Sequence, residues 1–270
     1  MAADEPGRVE RYYDAAAQRE WERLDRHRTE FALTLRAIDE HAPQPPARII
    51  DIGGGPGRYA IALARRGHAL TLVDISPACL DFARRKAEEA SVRIEAFVHA
   101  DARALDCFPD ASFDAALLMG PLYHLPAEGE RRCAVSEARR VLRPGRPIYA
   151  AFISRLAPFM VFAMREPETI LAHPEELERA LSTGVDTWGH GFADAYYAHP
   201  DEIVPFMESG GFATRVLVGC EGAIAGCESA VNALSGEAWD AWVDLNWRIG
   251  ADPAFRAASH HLLYVGVRGG

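Results

Sequence analysis

ARIIDIGGGPGRYAIALARRG, residues 47–67, is the stretch that decides the fold. Its short apolar run at 48–52 predicts a buried strand, and the residues after the glycines place apolar side chains at helical spacing up to Gly67. The glycines in between favour a tight turn that leads directly from the strand into the helix. The stretch therefore predicts the first strand–turn–helix unit of an α/β sheet.

The same alternation continues along the chain. Further elements are predicted in this order: strand 68–76, helix 77–90, strand 92–101, strand 112–120, helix 127–141 and strand 146–154. Strands that alternate with helices pair in parallel through right-handed crossovers, so helices cover both faces of the sheet.

Beyond Ser154 the alternation is interrupted. Residues 155–200 predict two helical pieces and a loop rich in Gly, Trp, His and Tyr, which we interpret as an insertion that covers the edge of the sheet. The pattern then resumes, with these predicted elements: helix 201–209, strand 214–219, helical residues 228–258 and strand 260–268. Upstream, residues 8–40 carry the apolar stripe typical of one or two amphipathic helices.

These elements predict a single α/β domain over residues 1–270, with a doubly wound sheet of seven strands. A length of 270 residues fits one large domain. We divide the domain into four parts: an N-terminal helical cap (1–45), a ligand-binding core (46–154), a substrate-cap insertion (155–200) and the C-terminal part of the sheet (201–270).

The composition argues against several classes of partner and of metal site. The chain has 29 Lys and Arg against 39 Asp and Glu, and its net charge of −10 repels phosphate backbones, so we expect no nucleic-acid partner. The apolar runs are far shorter than the roughly 20 residues that span a bilayer, so we expect no membrane partner. The five cysteines form no C-x-x-C pair, which favours free thiols in the cytoplasm over disulfides or a cysteine zinc site.

Glycines and acids at the predicted strand ends indicate a nucleoside ligand. Gly53, Gly55 and Gly57 fall at alternate positions after Asp51, and Asp74 ends the second strand. A carboxylate at that place can accept both hydroxyls of a ribose. The spacing is not the G-x-G-x-x-G of dinucleotide-binding proteins, and a Walker lysine is missing.

With these residues the chain resembles the class I S-adenosylmethionine-dependent methyltransferases, over about residues 48–154. The resemblance implies a Rossmann-like methyltransferase sheet and S-adenosylmethionine as cofactor. It implies the following cofactor-binding residues: Asp51, Gly53, Gly55 and Gly57 at the turn, Asp74 and Ile75 at the ribose, Asp101 and Ala102 at the adenine, and Met119 and Tyr13 at the methionyl side. Each acid also has a plain structural interpretation, as a helix cap, a turn residue or a solvated side chain.

The run GPLYHLP (120–126), the N-terminal residues and the tail SHHLLYVGVR are similar to a bacterial subgroup of small-molecule methyltransferases. Some of its members methylate the carbon next to the ketone of a 2-oxo acid, which implies such an acceptor from natural-product or amino-acid metabolism. O- or N-methylation of a small aromatic metabolite, and a non-catalytic cofactor-binding role, remain the alternatives. A homodimer is left open.

The resemblance also suggests the residues that act on the acceptor. Histidine accepts protons near neutral pH and binds transition metals, so His124 and His261, with Tyr123, are the predicted catalytic residues. The predicted substrate-binding residues are Arg58, Trp21, His190, Tyr196 and Tyr197. If His124, His190 and His261 converge, they would hold a divalent metal such as zinc, iron or nickel. The alternative for each histidine is a structural hydrogen bond, and for Arg58 and Trp21 a solvated or packed helix position.

Overall fold

The computed structural model of the chain describes residues 7–188 and 193–270. Three N-terminal helices come first: α1 (Gly7–Asp14), α2 (Ala17–Arg26) and α3 (Arg28–His41). The sequence predicted one or two helices here. The chain leaves helical geometry at His27, whose φ of −112° and ψ of 54° separate α2 from α3.

The ligand-binding core follows the predicted alternation closely. Its elements are β1 (Arg48–Ile52), α4 (Arg58–Arg65), β2 (Ala69–Asp74), α5 (Pro77–Glu89), β3 (Ala96–His99), β4 (Ala115–Leu118), α6 (Glu128–Val141) and β5 (Pro147–Ser154). Helix α5 begins where expected because the Ser76 side chain accepts a hydrogen bond from the Cys79 N–H and Pro77 fixes the first turn.

The rest of the chain forms the insertion and the far side of the sheet. The insertion contains α7 (Ala157–Arg165), α8 (Thr169–Ala172), α9 (Pro174–Thr183), β6 (Val185–Asp186) and β7 (Ala195–Ala198). After it come α10 (Pro200–Ser209), β8 (Phe212–Gly219), α11 (Glu228–Asn232), α12 (Gly236–Ala251) and β9 (His261–Arg268).

The seven predicted strands form one sheet in the order β3-β2-β1-β4-β5-β9-β8, which confirms the predicted fold class. The pairings from β3 to β5 are parallel, and β9 runs antiparallel to both β5 and β8. The insertion adds β6 and β7, because β7 pairs in parallel with the last two residues of β5. The insertion is thus attached to the carboxyl end of the central strands.

Both faces of the sheet are buried, as continuous apolar strands predict. On one face of the sheet, Ile49 packs with buried side chains of α3, α4 and α5. Ile50, on the opposite face, packs with α6 and α10. Among the described residues, no helix combines the length and apolar character that a membrane crossing needs.

Candidate active site

A cavity of about 1090 Å³ lies at the carboxyl ends of the strands, where α/β sheets bind their ligands. Its floor is the turn after β1, and its sides are the residues that follow β2, β3 and β4. Helices α1 and α2 close it from above with these side chains: Val9, Tyr13, Glu20, Arg23 and Leu24.

The glycine turn has the geometry that its predicted function requires. At Gly53 φ is +70°, and a Cβ there would lie 2.5 Å from the Pro121 ring. At Gly55 φ is +53°, and the space where a Cβ would point holds no atom within 4 Å. A ligand can therefore approach the backbone at Gly55 closely. Gly57 instead faces helix α5, where a Cβ would lie 3.1 Å from the Ala83 side chain, and it does not line the cavity.

The Asp74 carboxylate lies at the cavity wall beside this turn. One oxygen accepts a hydrogen bond from the Gly55 N–H at 2.7 Å, and the other accepts from the Ser76 N–H at 2.9 Å. Burial raises the pKa of Asp74 to about 6, although these backbone N–H groups favour the charged form. Each oxygen keeps a further lone pair for a ligand hydroxyl, and Ile75 lines the cavity next to it.

Asp51, in contrast, lies beneath the turn and does not line the cavity. Its side chain is fully buried, and burial together with the nearby Asp74 raises its pKa to about 7. The Ala60 backbone N–H offsets this effect only in part. The structure therefore does not bring Asp51 to the ligand, because the side chain points into the layer between β1 and α4.

The residues after β3 form the opposite end of the cavity. Asp101 and Ala102 line it as predicted, but the Asp101 carboxylate is already bound by Arg103. The Arg103 N–H and Nε donate to it at 2.8 and 3.0 Å, and the guanidinium also pairs with Glu130. Although burial opposes the charge, these contacts lower the pKa of Asp101. Asp101 thus offers a fixed, ionised acceptor.

Tyr13, Met119, Tyr123 and His124 meet at the end of the cavity that follows β4. The Tyr13 hydroxyl is hydrogen-bonded to Nε2 of His124. The Tyr123 hydroxyl donates to the Met119 carbonyl at 2.9 Å, and its ring lies 4.9 Å from the His124 ring. Burial raises the pKa of both tyrosines above the ordinary range, so both phenols are neutral.

His124 is held as a neutral imidazole. Burial lowers its pKa to about 4, and a hydrogen bond with the Asp194 backbone opposes this only partly. A neutral imidazole has one protonated nitrogen and one that accepts protons. Nε2 is the nitrogen that faces the cavity wall at Tyr13.

His261 does not line the cavity with His124. Its Nδ1 is bonded to Glu221 and lies 3.4 Å from Glu30, behind the wall that Arg23 forms. Burial opposes protonation, but the two carboxylates raise the pKa of His261. The expectation that His124 and His261 converge is therefore wrong for this structure. His261 begins β9 next to Glu30 of α3, away from the loop that carries His124. His190 lies outside the described residues.

Three of the predicted substrate-binding residues do not line the cavity. Trp21 packs its ring on Phe82, 6.0 Å away between ring centres. Tyr196 donates its hydroxyl to Glu202 at 2.7 Å, and Tyr197 donates to Asp186 at 3.2 Å. The two tyrosine hydroxyls thus bind acids of α10 and of the insertion, and the Trp21 ring packs on α5, so the structure does not bring these three side chains to the cavity.

Arg58 does line the cavity, but its guanidinium holds α2 in place. It donates to the Trp21 carbonyl at 3.1 Å and pairs with Asp25 at 2.9 Å.

Arg23 also lines the cavity and was not among the predicted site residues. It forms two hydrogen bonds to Glu30, at 2.6 and 2.9 Å. The prediction for the N-terminal helices used only their apolar residues. Arg23 lies three residues after Glu20, on the same face of α2, and this spacing of charged residues is the sequence pattern that indicates Arg23.

The N-terminal cap and the insertion touch above the cavity. Arg8 of α1 pairs with Asp194 at 3.0 Å, and the Asp194 backbone holds His124. The insertion thus reaches the site through Asp194.

Comparison with known proteins agrees with this geometry. Residues 49–145 match the family described as "Methyltransferase domain". The chain is similar to a ubiquinone biosynthesis O-methyltransferase of Xylella fastidiosa, 32% identical over 130 residues, which covers 48% of this chain and 51% of the relative. It is also similar to a demethylmenaquinone methyltransferase of Thermus thermophilus, 38% identical over 112 residues, with coverages of 41% and 49%. The chain spans about half the length of these curated relatives.

A solved structure shares the fold. The 1,6-didemethyltoxoflavin N1-methyltransferase of Burkholderia thailandensis, solved with 1,6-didemethyltoxoflavin and S-adenosylhomocysteine, superposes with a TM-score of 0.58. It is 14% identical, and the superposition covers 100% of this chain and 93% of that one.

The fold and the match over residues 49–145 agree with the class I S-adenosylmethionine-dependent methyltransferases that the resemblance implied.

Proposed function

We propose that the protein transfers the methyl group of S-adenosylmethionine to a small-molecule acceptor that gives up a proton to His124. The observation that carries this proposal is a buried, neutral imidazole beside a cavity that also contains the glycine turn and Asp74. Turn and carboxylate would hold the nucleoside, and the resemblance puts the methionyl side at Met119. His124 follows in the same loop.

For this reaction the protein mainly has to align the reactants and supply a base. The methyl carbon of the cofactor sulfonium is already activated, so the site mainly has to align the acceptor and exclude water. An oxygen, nitrogen or carbon acceptor has to lose a proton, which the neutral Nε2 of His124 can accept. Because Tyr13 now occupies this nitrogen, the acceptor either displaces the hydroxyl or passes its proton through it.

We propose as acceptor a 2-oxo acid that is methylated on carbon, from natural-product or amino-acid metabolism. Arg23 supports an anionic acceptor, because it lines the cavity near Tyr13. The guanidinium would hold the acceptor's carboxylate while His124 removes the proton next to the ketone. The metal that the sequence suggested at His124 and His261 has no part here, because the two side chains lie in different clusters.

A second candidate is O-methylation of an aromatic hydroxyl. Three relatives favour it, the ubiquinone biosynthesis O-methyltransferases of Xylella fastidiosa, Methylocella silvestris and Hahella chejuensis. His124 serves this reaction in the same way, since a phenol also has to lose its proton. A nucleic-acid acceptor has no support, and the net charge of −10 speaks against one. We also propose a cytoplasmic location and a homodimer.

The test is transfer of labelled methyl from S-adenosylmethionine to a panel of 2-oxo acids, phenols and aromatic amines. We expect product with one acceptor class, and we expect His124→Gln to lower kcat at least tenfold, which is about 1.4 kcal/mol of barrier. His41→Gln, at an exposed position in α3, is the matched control. Cofactor binding without transfer to the panel or to a metabolite extract would mean that the protein is a non-catalytic binder.

A further inference from the structure

Five titratable side chains converge outside the cavity, between the N-terminal helices and the far edge of the sheet. His27 joins α2 to α3, and Glu30 lies one turn later in α3. Glu221 follows β8, Glu228 begins α11, and His261 begins β9. Four separate segments of the chain thus supply one cluster of two imidazoles and three carboxylates, which we call the 27–261 cluster.

The donor atoms of the 27–261 cluster are close together. Glu221 accepts hydrogen bonds from Nδ1 and from the backbone N–H of His261, the latter at 2.9 Å. Nδ1 of His27 lies 3.0 Å from Glu228, and the two imidazole rings are 5.6 Å apart. Ligand atoms of His27, Glu221 and Glu228 all lie within 4.8 Å of one another, as do those of Glu30, Glu221 and His261.

The charges in this cluster do not balance. Glu221 is fully buried, and Glu30 and Glu228 are at least nine-tenths buried. Within the described part of the chain, Arg23 is the one permanently charged partner of these carboxylates, and it pairs with Glu30. With neutral imidazoles, three carboxylates and one guanidinium leave a buried charge of −2. Buried charges are costly unless they are compensated, so two further positive charges have to come either from protons on the two imidazoles or from a bound cation.

We propose that His27, Glu221, Glu228 and His261 bind one divalent first-row transition-metal ion. A single dication supplies the two missing charges at once. Two imidazole nitrogens with carboxylate oxygens suit Zn²⁺, Mn²⁺, Fe²⁺ or Co²⁺ better than Mg²⁺ or Ca²⁺, which prefer oxygen alone. Glu30 stays with Arg23, because both of its oxygens are taken by that guanidinium.

The spacing fits such an ion once the side chains close in around it. Zinc bonds to nitrogen and oxygen are about 2.0–2.2 Å long, so two tetrahedral ligands of one ion lie about 3.4 Å apart. The ligand atoms of His27, Glu221 and Glu228 now lie within 4.8 Å of one another, and Nδ1 of His261 is bonded to the same Glu221. On binding, the ring proton of each imidazole would lie on Nε2, so that the Nδ1 atoms that now face Glu221 and Glu228 can bind the ion.

The site would fasten the N-terminal cap to the sheet. His27 belongs to the cap, and His261 belongs to the strand that pairs with β5. Glu30, which adjoins the site, holds Arg23 at the cavity wall. The inference is independent of the proposed methyl transfer, because no ligand of the ion lines the cavity.

Metal binding is measured directly in the test. Untagged protein is stripped with a chelator and titrated with Zn²⁺, Mn²⁺ and Co²⁺, and bound metal is counted by elemental analysis. We expect one ion per chain, a Co²⁺ absorption spectrum with nitrogen and oxygen ligands, and a metal-dependent rise in Tm. Glu221→Gln and His261→Gln should weaken binding at least a hundredfold. His41→Gln, an exposed histidine in α3, should bind like the wild type.

If the variants of buried residues do not fold, His27→Gln and Glu228→Gln test the same ion from the more exposed rim, with an expected loss of at least tenfold. Metal binding below one equivalent in the wild type, or equal binding in all variants, overturns the proposal. So does a Tm that falls as pH rises from 6 to 8.5 and does not respond to any of the three metals, because two protons would then supply the missing charge.

Discussion

At the scale of single residues, Asp74 is the side chain on which cofactor binding depends most. Its two oxygens are fixed by backbone N–H groups and face the cavity. We expect Asp74→Ala to weaken S-adenosylhomocysteine binding about tenfold to a hundredfold, since hydrogen bonds to charged groups contribute about 1.5–3 kcal/mol. Isothermal titration calorimetry measures this loss. Asp81→Ala, at an exposed position in α5, is the control, and equal affinity in both variants would contradict the ribose assignment.

Asp51 should affect stability rather than binding. Its folded pKa of about 7 is above the unfolded value of about 4, so ionising this carboxyl costs folding free energy at pH 8. The cost decreases as pH falls through the folded pKa and is gone only below the unfolded value of about 4. We expect Asp51→Asn to be more stable than the wild type at pH 8, on the order of 1–4 kcal/mol, with a smaller difference at pH 5.5. Urea unfolding at both pH values measures this, and a pH-independent difference would show that the carboxyl is not the cause.

At the scale of elements, helix α3 is part of the core and not a loose cap. Leu33 is fully buried, as is Ala37 one turn later. Leu33→Ala should lower the free energy of unfolding by about 2–5 kcal/mol, the usual cost of a large cavity in a core. Leu171→Ala, at a side chain 84% exposed, should change it by less than about 0.5 kcal/mol. Equal effects in denaturant unfolding would mean that α3 does not fold with the sheet.

The contact between helix α1 and the insertion should control local opening over the cavity. Arg8 and Asp194 form the ion pair that joins them. We expect Arg8→Ala to speed amide hydrogen exchange in α1 and around Asp194 while leaving the glycine turn at residues 51–60 unchanged. Arg11→Ala, in the same helix and exposed, is the control. Equal exchange in the two variants would show that the pair does not hold the cap closed.

The elements show which parts of the site sequence alone can predict. The predicted strand at 48–52 and the predicted helix at 127–141 follow from local periodicity and glycine chemistry, and the structure has them within about one residue. The local pattern also predicted Asp74, because a carboxylate that binds a ribose lies at a fixed place, the end of the second strand. It could not separate His124 from His261, since their distance depends on how β9 pairs with β5 across the whole fold. Arg23 was missed because its place at the cavity depends on how α2 packs over the strand ends, which local pattern does not give.

At the scale of the whole molecule, ligand binding should stabilise cap and sheet together. The cavity takes its walls from α1, α2 and four strand ends, so its ligand binds only when all of them are in place. S-adenosylhomocysteine at 100 times its Kd should add about 2.7 kcal/mol and raise Tm by several degrees in one transition. Near- and far-ultraviolet circular dichroism follow tertiary and secondary structure. Two separate transitions, with only one shifted by ligand, would mean that cap and sheet unfold independently.

The position of β9 between β5 and β8 also affects how the chain is made on the ribosome. β5 leaves the ribosome well before β9, so one edge of this apolar strand stays unpaired while the insertion and α12 are being synthesised. An open apolar edge is where nascent chains pair with one another. Slow translation after β5, or loss of the β9 residues through a premature stop, would therefore lower the yield of folded protein even with every cavity residue already synthesised.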